Sequence, residues 1–188
     1  MAGPSRMSTY VILLRAVNVG GYGKLSMADF RTALSALGFQ NVQTYIQSGN
    51  AVIDSGATAE RVEHLIVTAL KKLTGSSVNV IVRTHEQLDR LIGANPFADE
   101  AVDGARVHVA FLSGPAAPTA HAALEAIVER YPDRRDRYHL AGDHIYFHFP
   151  DSAADTKFTG KALEKAIGAV GTGRNWNTVL KLHAMSKR

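Results

Sequence analysis

Residues Tyr10–Ile53 read YVILLRAVNVGGYGKLSMADFRTALSALGFQNVQTYIQSGNAVI, and the hydrophobic period changes twice along them. Tyr10–Leu14 is a β-rich apolar run that ends in a glycine-containing stretch, the pattern of a strand leading into a loop. From Ser26 the period becomes helical. Met27, Phe30, Leu34 and Leu37 share a face, Ser26 offers an N-cap with Asp29 three residues on, and Gly38 stops the run. The period returns to two in VQTYIQSGNAVID, which predicts two strands around a Gly49-Asn50 turn.

Beyond this stretch, Thr58–Leu73 predicts a second helix, with Val62, Leu65, Ile66, Ala69, Leu70 and Leu73 on its buried stripe and Gly75 behind it. Val78–Val82 is another strand. The order β-α-β-β-α-β is the split βαβ plan of a ferredoxin-like domain. The second half repeats it, with a strand at Arg106–Leu112, a helix at Pro118–Tyr131 stopped by Pro132, a hairpin in RYHLAGDHIYFHF and a helix at Thr159–Ile167 ending at Gly168. The hairpins align without a gap, Tyr45, Gly49 and Asn50 falling on Tyr138, Gly142 and Asp143. GTGRNWNTVLKLHAM then stands where the last strand belongs and continues as an additional helix.

The expected architecture is therefore α+β, two tandem ferredoxin-like (βαββαβ, α-β plait) subdomains at 8–83 and 105–188 with a C-terminal helix on the second. Residues 84–104 are expected to be a linker with a short helix that Thr84 and Gln87 would cap. Residues 1–7 read as a disordered extension, with Met7 suited to be the natural start.

Composition narrows the classes of function. Hydrophobic residues make up 46% and charged residues 20% of the 188, ordinary for a soluble, core-forming chain. No apolar run reaches the roughly 20 residues needed to cross a bilayer, and the start lacks the apolar stretch of a signal peptide. There is no cysteine, which excludes disulfides, thiol catalysis and zinc–thiolate sites, and cytoplasmic residence is the expectation. The net charge of +4 is uneven: Lys157–Arg188 holds seven basic residues against Glu164 alone, leaving 14 basic and 16 acidic groups elsewhere. Such a block suits phosphates or nucleic acid, or a solvated helix face.

The split βαβ plan brings distant residues together. Its first two strands run parallel and end at one sheet edge, so the loop Arg15–Lys24 is expected beside the hairpin tip Gln47-Ser48-Gly49-Asn50. Arg15, Asn18, Gly20 and Gly21, with Lys24 nearby, lead into a helix start, where free N–H groups and the helix dipole suit an anion. The same loop also fits an ordinary glycine turn, since it has neither Walker nor GxGxxG spacing. Gln47, Ser48 and Asn50 would fix a ligand with amides and a hydroxyl, while Gly49 serves positive φ in the turn.

A second cluster is Arg174, Asn175, Trp176, Asn177 and Thr178. Asn175 suits an N-cap, with Trp176, Val179, Leu182 and Met185 as the docking face of the last helix. Arg174 would hold a phosphate or carboxylate with a fork lysine lacks. His144, Tyr146 and His148 alternate along one strand face, Ile145, Phe147 and Phe149 take the other, and His108 is expected to share the outer face. His144 and His148 are about 13 Å apart at the strand rise, too far to chelate one metal. The His/Tyr face suggests a base-stacking platform, but no RNP-like aromatic run accompanies it. One sheet face is expected to pack against the other half or a second chain. No serine has a base partner in a nucleophile-elbow context and no carboxylate pair stands out, so no general base is identified.

Tyr10–Ile53, together with Asn95–Phe97 ("NPF") and "GTGRNWNTVLKL" near the end, closely resembles the bacterial domain-of-unknown-function family 1697 over about Ser8–Leu182. The family usually carries Arg-Gly-Ile-Asn where this chain has Arg15-Ala16-Val17-Asn18, and alanine does not take positive φ as glycine does. The resemblance implies two ferredoxin-like subdomains and no established activity. The resulting expectation is binding of an anionic small molecule, nucleotide- or phosphate-like, between the subdomains, by Arg15, Asn18, Gly20, Gly21, Gln47, Ser48, Asn50, Arg174, Asn175 and Trp176. Sequence-tolerant nucleic-acid binding through the basic C-terminal region and a protein-interaction module are the alternatives. No metal, no cofactor and no membrane partner are expected, and the protein is expected to be a monomer or homodimer.

Overall fold

In the computed structural model, which describes residues 6–18 and 24–188, the chain divides into two compact units. The first is Met1–Gly93 with Lys181–Arg188, and the second is Ala94–Leu180. The stretch expected as a linker is thus shared out, and the last residues return to the first unit.

The first unit runs β1 (Ser8–Leu14), α1 (Met27–Ala36), β2 (Gln40–Tyr45), β3 (Asn50–Ser55), α2 (Ala59–Thr74), β4 (Val80–Thr84) and α3 (His85–Gly93). Its sheet has the order β2-β3-β1-β4, every neighbour antiparallel. The caps follow the sequence. The Ser26 hydroxyl accepts from Asp29 N at 3.0 Å, Thr58 from Arg61 N at 3.3 Å, and Gly75 closes α2 at φ 75°. Each such cap is worth about 1 kcal/mol. Thr84 and Gln87 form the reciprocal pair expected of them, Thr84 N donating to Gln87 Oε1 at 2.8 Å and Gln87 N to Thr84 Oγ1 at 3.2 Å. Tyr10, Ile12, Leu14, Ala51, Ile53, Val80 and Val82 point to the core face, which Phe30, Leu34, Val62, Ile66 and Leu70 cover.

The second unit runs β5 (Val107–Leu112), α4 (Ala120–Arg130), β6 (Arg137–Ala141), β7 (His144–His148), α5 (Gly160–Ile167) and β8 (Gly171–Asn175), followed by α6 (Trp176–Ser186), whose end belongs to the first unit. Its sheet order, β6-β7-β5-β8, repeats the first, again antiparallel throughout. Two four-stranded antiparallel sheets with six helices agree with two tandem ferredoxin-like subdomains. Ala110, Leu112, Ile145, Phe147 and Phe149 pack under Ala120, Leu124, Phe158 and Ile167.

GTGRN, a glycine-rich run with no apolar strand pattern, forms the last strand that the repeated plan requires, because pairing with β5 imposes what propensity alone does not. Two local expectations are corrected. The hairpins do not share a turn. The first closes through Ile46–Gly49 with Asn50 already paired to Tyr45, whereas the second closes through Gly142-Asp143, with Ala141 paired to His144. His108 lies opposite Phe147, so the period of two places it on the helix-covered face, 5.2 Å from the Phe149 ring, rather than beside Tyr146.

Candidate functional site

The juxtaposition deduced for the first unit is present. Leu14 N donates to Gly49 O at 2.8 Å, tying the end of β1 to the hairpin tip. The Asn18 amide donates to Gln47 O at 2.9 Å and to Leu25 O at 2.8 Å, while its oxygen accepts from Leu25 N at 2.9 Å. One side chain therefore holds both ends of the β1–α1 loop and the hairpin tip. Arg15 is half-buried at the start of this loop, with its own N–H on Asn79 O at 3.0 Å. Gly20 and Gly21 lie outside the described residues.

The backbone at this edge is unusual. Ala16 has φ 55°, Asn18 φ 57° and Ile46 φ 47°, all in the left-handed region that costs an L-residue about 1–2 kcal/mol. Asparagine tolerates it, but a β-branched isoleucine there is an outlier. Ala16 thus adopts the positive φ that its identity argued against, because the surrounding bonds over-determine the loop. Gly49, at φ 87°, meets a further demand, since a Cβ there would lie 2.7 Å from Val17 Cγ2 and 2.8 Å from Leu14 Cβ.

Several of the amides chosen as ligand contacts hold backbone. Asn50 is fully buried and donates to Tyr45 O and Ser48 Oγ, both at 2.9 Å, so it stitches the turn from inside. Gln47 and Ser48 remain exposed at the tip.

In the second unit, Asn175 caps α6, its oxygen accepting from Thr178 N at 2.9 Å. Trp176 is buried at 6% exposure, with its backbone N–H donating to Gly104 O at 3.1 Å. Gly104 leaves room for the Asn177 amide, whose Cγ would be 2.7 Å from a Cβ there. The tryptophan and its asparagines therefore dock the helix. Arg174 is also 6% exposed, on β8, donating to Thr172 Oγ1 at 2.7 Å and Gly173 O at 2.9 Å. Burial pushes its guanidinium down to about 10, still charged at neutral pH. Across the sheet Tyr146 is 1% exposed and burial pushes its phenol up to about 12. With Tyr146 and His148 both buried, this face offers no stacking platform for bases.

The NPF stretch is likewise structural. Phe97 N donates to Asn95 Oδ1 at 2.9 Å, and the Phe97 ring sits between His148, centroids 5.9 Å apart, and the Arg137 guanidinium at 5.0 Å. Arg137 also pairs with Glu100 and reaches His148 Nδ1 at 3.0 Å. Arginine can only donate, so that nitrogen is the acceptor of a neutral imidazole. Burial, and secondarily Arg137, hold the His148 pKa below its ordinary value.

Two groups escaped the sequence reading. Arg83, 9% exposed on β4, donates to Val82 O at 3.0 Å and sits where Arg174 sits in the second sheet. Only strand register reveals that match. His85, Asp89 and His183 also converge, although only the i, i+4 spacing of the first two was visible beforehand.

These features define a duplicated α+β protein whose loop edge is clamped by asparagines, with no assembled catalytic set among the described residues. The chain belongs to the family described as protein of unknown function (DUF1697), whose model matches residues 7–146. A conserved bacterial protein, SP0830 from Streptococcus pneumoniae, superposes with a TM-score of 0.68 at 22% identity, over 97% of this chain and 100% of that one, a likeness of fold. An unknown protein from Galdieria sulphuraria aligns over 90% of this chain and 99% of its own at 14% identity, with a TM-score of only 0.26. Comparison with curated proteins gives no match. No helix among the described residues is long and apolar enough to cross a membrane.

Proposed function

We propose that the protein binds a small anionic ligand, phosphate- or nucleotide-like, at the β1–α1 edge of its first unit. The observation that carries this reading is the backbone of that edge, where Ala16, Asn18 and Ile46 all hold positive φ within one hydrogen-bonded loop pair. Strain of this kind persists only where bonds over-determine it, and it gathers at ligand-holding loops. Arg15 supplies charge, and the exposed Gln47 and Ser48 side chains supply orientation. Asn18 and Asn50 act as the frame, and Arg174, Asn175 and Trp176 serve the framework of the second unit. The cysteine-free sequence suits a cytoplasmic setting.

Nucleic-acid binding through the C-terminal charge is the weaker reading. Arg188 is occupied by Asp54, its Nε 3.2 Å from both carboxylate oxygens, and the Lys181 ammonium lies 6.0 Å from the Tyr45 ring centroid. Burial alone would raise the Asp54 carboxyl, but Asn41, Thr9 and Arg188 together outweigh it and hold it below its ordinary value. Basic groups tied down in this way are less available to phosphates.

The test is a thermal-shift series with phosphate, pyrophosphate, AMP and ATP on the wild type and Arg15→Ala. At least one anion should raise the wild-type Tm, and Arg15→Ala, folded by circular dichroism, should lose that rise. If no anion separates the two proteins, the reading fails.

A further inference from the structure

We infer that His85, Asp89 and His183 form a binding site for a divalent transition metal of the zinc class in the first unit. Each offers a ligand atom, and these atoms lie within 4.8 Å of one another. His85 and Asp89 are one turn apart on α3, so the helical period sets them on one face. His183 comes from the last turn of α6, in the C-terminal segment that belongs to this unit. Its Nε2 is 3.0 Å from Asp89 Oδ1, and the pair needs to open by only a few tenths of an ångström to reach the roughly 3.4 Å between two ligands of a tetrahedral ion.

The surroundings set up His85 as a ligand. Its Nδ1 is 2.8 Å from Ser186 Oγ, and Ser186, 1% exposed, is 2.9 Å from the carbonyl of His183. A carbonyl can only accept, so the hydroxyl proton goes to it, and the hydroxyl oxygen accepts from His85 Nδ1–H. The proton is thereby fixed on Nδ1 and the lone pair on Nε2. An outer-sphere hydrogen bond of this type orients metal-ligating histidines. Two neutral imidazoles and one carboxylate are a donor set for zinc-class ions rather than for calcium or magnesium. The end of a helix, where His183 sits, also favours a cation through its free carbonyls.

The rings of His85 and His183 stack with centroids 4.5 Å apart at 16°. To bring both lone pairs to one ion they must splay, and the broad χ2 torsion of histidine permits this. The ion takes the Nε2 lone pair of His183 in its Nδ1–H tautomer, and the proton that Nε2 shares with Asp89 passes to Nδ1 by exchange with water. Because the Asp89 side chain is 70% exposed, a fourth position is left open to water. Three protein ligands with an open position are the arrangement of reactive rather than purely structural zinc sites. The inference is independent of the anion reading, since it uses none of the same residues.

The experiment uses tag-free full-length protein, stripped with EDTA and titrated with Co²⁺ and then Zn²⁺. Visible absorption and calorimetry give coordination and stoichiometry. The expected result is one equivalent of Co²⁺ with a tetrahedral spectrum, displaced by Zn²⁺, and a Zn²⁺-dependent rise in Tm. Asp89→Asn, at an exposed position where folding is not at issue, should weaken binding about tenfold or more, and His85→Gln/His183→Gln should abolish the spectrum. Ser186→Ala should cost about tenfold through the outer-sphere bond alone. If the double variant binds as the wild type does, other histidines are responsible and the site is refuted. Absence of wild-type binding refutes it as well.

Discussion

Arg83 and Arg174 hold the same position in the two sheets. Arg83 stands opposite Val11 on β4 and Arg174 opposite Val109 on β8, and each donates from Nη1 to the carbonyl of the residue before it. Both are at least nine-tenths buried. A duplicated sheet explains why a buried cation, otherwise costly, occurs twice at one register. Arg83→Ala and Arg174→Ala should each destabilise the protein by about 2–3 kcal/mol, because bonded partners are left behind in a buried place. Lysine should rescue neither fully, lacking the planar fork. Urea unfolding of the four variants checks this. An Arg174→Ala protein of unchanged stability would return that residue to the list of ligand contacts.

Ala16 gives a prediction of opposite sign. It sits at φ 55°, and the left-handed region costs alanine more than it costs glycine. Ala16→Gly relieves that strain but adds freedom to the unfolded chain, worth about 0.4–1 kcal/mol in the other direction. The net should be a stabilisation of about 0.5–1 kcal/mol. At this size of protein that is about 1–4 °C in Tm, readable by calorimetry. A lower Tm would show that the methyl group packs usefully.

What was legible in the sequence follows from what is local. Ser26 and Thr84 announce helix starts because a cap is satisfied within three residues, and both are used. Topology then brought Arg15–Asn18 beside Gln47 without any contact being visible, since parallel first and second strands must end together. GTGRN has no strand pattern of its own; the repeated order alone places a strand there, and pairing with β5 forms it. Local pattern misleads where the deciding partner is remote. Asn50 looked like a turn residue because Gly-Asn is a turn signal, yet its amide is needed inside the hairpin. His108 was assigned by type to a histidine face, while a register shift of one residue decides the face. His183 meets His85 only because the last helix returns to the first unit.

His108 supplies a dependence on pH. It lies opposite Phe147, its Nδ1 is buried without a hydrogen-bond partner, and burial lowers its pKa. A histidine lowered in this way takes up its proton later in the folded state than in the unfolded one. Stability is therefore unaffected above the unfolded value of about 6.5, falls as pH drops through it, and levels off below the folded value. His148, lowered chiefly by burial, adds a slope of the same sign. His108→Leu should flatten the loss between about pH 7 and pH 5, and the comparison is made by urea unfolding at each pH. An unchanged slope would mean that the ring reaches water in the folded state.

Asn18 separates frame from ligand contact at the loop edge. Its side chain makes three bonds of 2.8–2.9 Å, to Leu25 N, Leu25 O and Gln47 O, and its φ is 57°. Asn18→Gly removes the three bonds but tolerates the backbone, so it measures the clamp alone, at about 1 kcal/mol per net bond and about 3 kcal/mol in all. Asn18→Ala removes the same bonds and adds the left-handed penalty, a further 1–2 kcal/mol or so. The order wild type, glycine, alanine should therefore hold in unfolding free energy, the reverse of ordinary propensity. Hydrogen exchange gives an independent reading, because Leu25 N–H is protected by Asn18 Oδ1 in the wild type and should exchange faster in both variants. Anion binding through Arg15 should weaken in both as well, since the loop that positions Arg15 has lost its tie to the hairpin tip. A variant that loses Leu25 protection yet binds as tightly as the wild type would place the ligand elsewhere on the chain.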